Sequence, residues 1–309
     1  MSQRAVLLAT TMLSGIAGAM FFSPVAGRAA DTSVTAPFLK APPMELPPPA
    51  VDGINFKFDG LGGTIANRSL YGSQGAVAIP LGGQYGLQVD GAAGSFDDRF
   101  FGSTAGHLFW RDPRAGLAGA YASYTDWKSP VGSVFVAKYG GEGALYLGRW
   151  TAEGVAGVEG GSNRTGTVGP FIDTINVKTR FFDEARIAYY LTDNLKLAVG
   201  HAFTGGKHAA TVGGEWSFAA GGGRMASLFA EGRFGDHNDN GVWGGLRIYF
   251  GQHDKSLIRR NREDDPVTDL PNNLFAFTNP FGQTSVPPAA PMTPVCPAGE
   301  VFFHGHCIS

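Results

Sequence analysis

The stretch Ile54-Asn55-Phe56-Lys57-Phe58-Asp59 alternates strictly, with Ile54, Phe56 and Phe58 on one parity and Asn55, Lys57 and Asp59 on the other. Successive side chains of a β-strand point to opposite faces, so this pattern predicts a strand with one apolar and one polar face. The same reading extends downstream. In Gln84–Ala93, Tyr85, Leu87 and Val89 oppose Gln84, Gln88 and Asp90. In Met225–Phe234, Ala226, Leu228, Ala230 and Phe234 oppose Glu231 and Arg233. In Gly241–Phe250, Val242, Leu246, Ile248 and Phe250 oppose Arg247.

Between residues 54 and 250 the chain parses into about twelve strands, with ten as the lower count. The others are Gln74–Pro80, Phe101–Trp110, Gly116–Tyr124, Ser133–Leu147, Thr151–Gly160, Lys178–Tyr190, Leu195–Phe203 and Ala209–Phe218. Gly, Asn and Asp between them supply turns. One set of turns is tight, as at Leu81–Gly83 and Ala220–Gly223; the other is expected to be longer and more polar, at Ser95–Asp98, Thr125–Pro130, Gly161–Asn176 and Gly235–Asn240. Short turns on one rim and longer loops on the other characterise transmembrane barrels. The loop Gly161–Asn176 is the best candidate for a constriction.

Alternation alone does not separate a soluble sandwich from a barrel in lipid, since both have period two. Composition and the amino terminus favour the barrel. Charged residues are only 16% of 309, against roughly 25% in soluble domains. Arg4, the uncharged stretch Ala5–Phe22 and the small residues Gly27-Arg28-Ala29 read as a signal peptide over residues 1–30, the alternative being an uncleaved anchor helix. No later stretch approaches the ~20 apolar residues of a spanning helix, so membrane insertion would require a closed barrel. Tyr, Trp and Phe near strand ends suit the lipid interface. The fold expectation is therefore an all-β antiparallel transmembrane barrel with disordered extensions.

The proline-rich segment 31–53 reads as a linker and residues 251–309 as a periplasmic tail, largely unstructured to residue 295. Its run Arg259-Arg260-Asn261-Arg262-Glu263-Asp264-Asp265 reads as solvated, with contact to cell-wall polymers as the sharper alternative. Cys296 and Cys307 are the only cysteines, and an even count in an exported chain reads as a disulfide, here closing a terminal hairpin worth ~3 kcal/mol. A metal site from Cys296, His304, His306 and Cys307 matches no standard spacing.

In a lipid barrel the polar faces line the interior. The expected lumen set is Lys57, Asp59, Asp90, Lys138, Glu142, Glu153, Glu184, Arg186, Lys196, Glu215, Glu231, Arg233 and Arg247. Such charges tune ion selectivity in a pore and pair with one another in a closed barrel. His107 and His201 fall beside apolar neighbours, Phe109 on one strand and Val199 and Phe203 on the other, with His201 on an outward face. No serine marks a nucleophile, and a net charge of −2 without a basic stripe gives no footprint for nucleic acid.

The order of signal peptide, proline-rich Phe38-Leu39-Lys40-Ala41-Pro42-Pro43, glycine-rich strands and Gly245-Leu246-Arg247-Ile248-Tyr249-Phe250 resembles porin-family outer-membrane proteins of alphaproteobacteria. The resemblance covers residues 1 to about 250, with Phe250 as the terminal-strand aromatic that resembles a barrel-assembly signal. It implies a cofactor-free, porin-like protein for passive passage of small solutes or ions, not an enzyme. Its partners would be outer-membrane lipids and the assembly machinery. A structural or adhesive barrel is the alternative, a lipid-modifying enzyme the third reading. About sixty residues follow Phe250, where the family's typical barrel ends.

Overall fold

A computed structural model describes residues 47–169, 171–236, 239–264, 266, 270–278, 283–286, 301–303 and 306–308. The expected signal peptide, the linker up to residue 46, and Cys296 lie outside the described residues, so the disulfide has only Cys307 within them.

The strands are β1 (Asn55–Ile65), β2 (Arg68–Gly82), β3 (Tyr85–Phe96), β4 (Arg99–Asp112), β5 (Gly116–Ser129), β6 (Gly132–Leu147) and β7 (Trp150–Gly161), then β8 (Asn163–Val168) and β9 (Phe171–Asn176). They continue with β10 (Arg180–Thr192), β11 (Leu195–Thr204), β12 (Lys207–Gly221), β13 (Arg224–Gly235) and β14 (Gly241–Phe250). Every one of these except β8 and β9 belongs to a closed twelve-stranded antiparallel barrel in which β7 pairs with β10 and β14 closes on β1. The seam runs from Phe56 opposite Phe250 to Ile65 opposite Gly241. Gly245 permits the close approach there, since a β-carbon on it would lie 1.9 Å from the Gly60 carbonyl oxygen. Closure leaves no unpaired edge in the wall, as a hydrocarbon surrounding demands.

The faces are inverted relative to a soluble core. Leu108, Ile187, Val199, Val212, Leu228 and Leu246 are exposed on the outside, while Asp59, Asp90, Lys138, Glu215 and Arg233 are buried inside. Outward aromatics gather at the two ends of the strands. At the rim holding both barrel termini are Phe56 against Phe250, Trp150 against Tyr189 and Trp216 against Phe218. At the opposite rim are Tyr124 against Phe135 and Phe181 against Phe203. Two aromatic belts flanking an aliphatic band are the outer surface of a lipid-embedded barrel.

The rims are less asymmetric than expected. β3 runs on to Phe96 and β5 to Ser129, so Ser95–Asp98 and Thr125–Pro130 are not long loops. Asp97 and Asp98, with φ of 55° and 56°, form a two-residue turn whose backbone matches the right-handed strand twist. Thr125 and Trp127 extend β5 because their side chains are buried inside the barrel. The one long connection, between β7 and β10, builds its own hairpin from β8 and β9, and β15 (Gln283–Val286) adds to it as a third strand.

The stretch after Phe250 departs from an unstructured tail. It forms α1 (Leu257–Glu263) and a 3-10 helix (Leu270–Phe277), whose residues are buried throughout. A short hairpin of β16 (Val301–Phe303) and β17 (His306–Ile308) lies near the carboxy terminus.

Candidate functional site

The lumen is the only region where charge, burial and space coincide among the described residues. The expected charges all sit on inward positions of their strands, and most fall into paired groups. At the seam, Arg247 donates to Asp59 at 2.8 Å and to Glu215 at 2.9 Å. Lys196 lies 3.7 Å from Glu215, which also accepts from Ser227 and Tyr249, each at 2.7 Å. Gln74 donates to Asp59 at 2.6 Å. A second group bridges β10 and its neighbours. Lys138 is 4.0 Å from both Glu159 and Glu184, and Arg186 lies 3.5 Å from Glu231. Such mutual neutralisation offsets the several kcal/mol that desolvating each ion costs.

Sequence reading missed several lumen residues. His107 points inward between Asp90 at 2.9 Å and Glu142 at 2.7 Å. Asp239, which pairs with the expected Arg233 at 2.8 Å, and Lys207, 3.5 Å from the same carboxylate, were also missed. Glu159 is wholly buried and shares the parity of Glu153 on β7, so carrying the alternation a few residues further would have found it. Lys207 would follow equally from the parity of Glu215 on β12.

The lumen holds the chain's own carboxy-terminal segment. This corrects the expectation that Gly161–Asn176 supplies the constriction. At the rim of the termini, α1 rests against tight turns: Ile258 N–H donates to the Asp193 carbonyl, and the Arg260 guanidinium to the Gly223 carbonyl at 2.8 Å. Pro266 follows, its carbonyl accepting from Lys57 at 3.5 Å and Gln88 at 3.4 Å. Asn272 then donates to Glu184, and Asn273 to Ser123 and Thr125. At the opposite rim Lys207 donates to the Thr278 carbonyl at 2.9 Å. Leu274, Phe275 and Phe277 join an apolar cluster with Phe96, Trp127, Phe229 and Trp243.

At the first rim the attachment is ionic. Arg260 pairs with Asp264, and Lys255 with Asp264 and Asp52, where the chain enters the barrel. Burial pulls the Lys255 ammonium down, but Asp264 and Asp52 outweigh it and hold the group above the ordinary lysine range. Burial likewise pushes Asp52 up, yet Lys255 and Asn55 hold its carboxyl below the usual aspartate value. Arg111 ties the segments on both flanks of the barrel to the wall, donating to the Ala50 and Asp264 carbonyls.

Between segment and wall a cavity of about 100 Å³ remains, lined by Asp90, His107, Glu142, Glu153, Glu184 and Arg186 among others. A smaller space of about 20 Å³, near the size of one water, lies by Lys57, Lys196 and Arg247. On the outside, His201 sits near the second rim as expected, hydrogen-bonded to Asp183 and His208 at 2.9 Å each. Among the described residues no group of His, Cys, Asp and Glu is arranged to hold a metal ion.

No protein-family model matches the chain, and no curated protein matches it. Among solved structures it is similar to the KdgM porin, at 6% identity and a TM-score of 0.42 over 64% of this chain and 99% of that one. It is also similar to the COG4313 outer membrane channel from Pseudomonas putida F1, at 12% identity and a TM-score of 0.44 over 68% and 99%. The Acinetobacter baumannii outer membrane protein Omp33 is similar at 11% identity, with a TM-score of 0.36 over 64% and 98%.

Proposed function

We propose that this chain is an outer-membrane channel of porin type, exported by its amino-terminal signal peptide, whose carboxy-terminal segment is a resident plug. The observation that carries the reading is the inverted wall: two aromatic belts around an aliphatic band outside, and a charged, partly hollow lumen inside. Interior charges of both signs would pass small polar or ionic solutes, with the balance around the cavity setting ion preference. The four acids Asp90, Glu142, Glu153 and Glu184 there outnumber Lys138 and Arg186 and favour cations over anions. Lipids would hold the outer face, and Phe250 at the end of β14 would serve the assembly machinery.

The plug decides how much passes. Planar-bilayer conductance of the full chain is expected to be small and interrupted, and deletion of residues 252–309 to give steady steps. Glu153→Lys in the deleted form is expected to shift ion preference toward anions, because Glu153 faces the cavity. Silence from a deleted variant that is verifiably folded and inserted would remove the channel reading. The plug's attachment at both rims favours one other reading, a non-conducting structural or display barrel, which that silence would support.

A further inference from the structure

The contacts of the carboxy-terminal segment occur in strict order along the barrel axis. The Asp193, Gly223 and Trp150 carbonyls, all at tight turns of one rim, hold residues 258–262. Lys57 and Gln88, two or three residues inside that rim, meet Pro266. Glu184, Ser123 and Thr125, deeper in the wall, meet Asn272 and Asn273. Lys207, the first residue of β12 at the other rim, meets Thr278. β15 then pairs with β9, Gln283 opposite Ile175 and Val286 opposite Ile172, on the hairpin that connects β7 to β10 at that same rim. The segment therefore enters at one end of the lumen and leaves at the other.

With an even number of strands, both ends of the barrel chain lie at one rim, where Asn55 begins β1 and Phe250 ends β14. An exported chain inserts with those ends toward the periplasm, and the longest connection, here the β8–β9 hairpin, faces outward. We infer that the barrel threads its own carboxy-terminal segment across the membrane, so that Thr278 and β15 lie on the outer side. A second activity follows: presentation of β15, and of the chain that continues from it, to the outside medium. The threading itself is held by the apolar cluster around Phe275 and by strand addition at β9, neither of which a simple pore needs.

The test uses the full chain in intact cells. One epitope is placed after Ser309, another in the Asp97–Asp98 turn at the second rim, and a third in the Gly222–Gly223 turn at the first. The terminal and Asp97–Asp98 epitopes are expected to bind antibody on intact cells, and the Gly222–Gly223 epitope only after permeabilisation. A terminal epitope silent on intact cells while the Asp97–Asp98 epitope binds would overturn the inference, as would exposure of the Gly222–Gly223 epitope alone. Because an added epitope could itself block threading, the untagged chain is treated in parallel with external protease. Loss of mass confined to residues 279–309 supports surface display; an intact chain that is cut there only after permeabilisation refutes it. Neither readout depends on conductance, so failure here is distinct from failure of the channel reading.

Discussion

The two ends of the lumen are closed by chemically opposite means. At the mouth that holds both barrel termini α1 is held by ions: Arg260 with Asp264, Lys255 with Asp264 and Asp52, and Arg262 over the rings of Tyr146 and Tyr190. At the far mouth the 3-10 helix is held by apolar burial, with Phe277 against Trp127, and Phe275 against Trp243 and over the Arg233 guanidinium at 4.3 Å. The first depends on protonation and on every partner being present. The second depends chiefly on area and shape, with Lys207 on the Thr278 carbonyl as its titratable contact. One segment thus carries two locks that fail under different conditions, and each can be opened without the other.

The largest effect is expected at the far lock. Phe275→Ala with Phe277→Ala removes two wholly buried rings and should weaken it by at least about 4 kcal/mol, a change near a thousandfold in opening. Channel open probability and protease access at Thr278 both read it, and an unchanged value of either would show that the far lock rests elsewhere. At the near lock, Arg260→Met leaves Asp264 buried without one of its cations and should cost about 3 kcal/mol. The double replacement Arg260→Met with Asp264→Leu should recover part of that loss, because an apolar pair carries no desolvation debt; equal loss in single and double variants would break the ionic account.

A smaller effect separates the locks by pH. Asp52 is held below the ordinary 3.8, so its contribution is complete above that value and is lost as pH falls through the lower folded value. Lys255 is held above the ordinary 10.5, so its contribution is complete below that value and is lost as pH rises through the higher folded value. Protease cutting near His253 is therefore expected to rise at both extremes and to stay flat between them, while cutting at Thr278, where apolar burial carries most of the hold, changes less. Matched profiles at the two sites would merge the locks into one. The smallest effect is at Arg259, whose i,i+4 pair with Glu263 is largely exposed. Arg259→Gln should change near-lock strength by at most about 0.5 kcal/mol.

Much of the wall was legible. Every barrel strand was legible in residues 54–250, because alternation is a local property of a wall whose two faces differ in polarity. That Asp59, Glu215 and Arg247 lie on the polar faces of their strands followed from parity, and that these faces point inward from the barrel reading; their meeting at 2.8 and 2.9 Å did not, since Arg247 lies nearly two hundred residues from Asp59. Loop lengths were misjudged where a strand carries polar residues inward, as at Thr125, because polarity in a barrel marks the lumen as often as the solvent.

What the sequence determined by itself was the wall: its strand positions, the apolar and polar faces of each strand, and, for an even count, a shared rim for both termini. What only the tertiary structure decided was the fate of residues 251–278. Their Arg, Asn and Asp content reads as solvated, and in isolation nothing contradicts that. Closing the barrel creates a second polar phase inside it, lined by groups such as Lys57, Glu184 and Ser123 whose hydrogen-bonding capacity must be met. A segment that is polar by composition can satisfy that phase as well as water can, and it is tethered at the mouth, where its effective concentration is high.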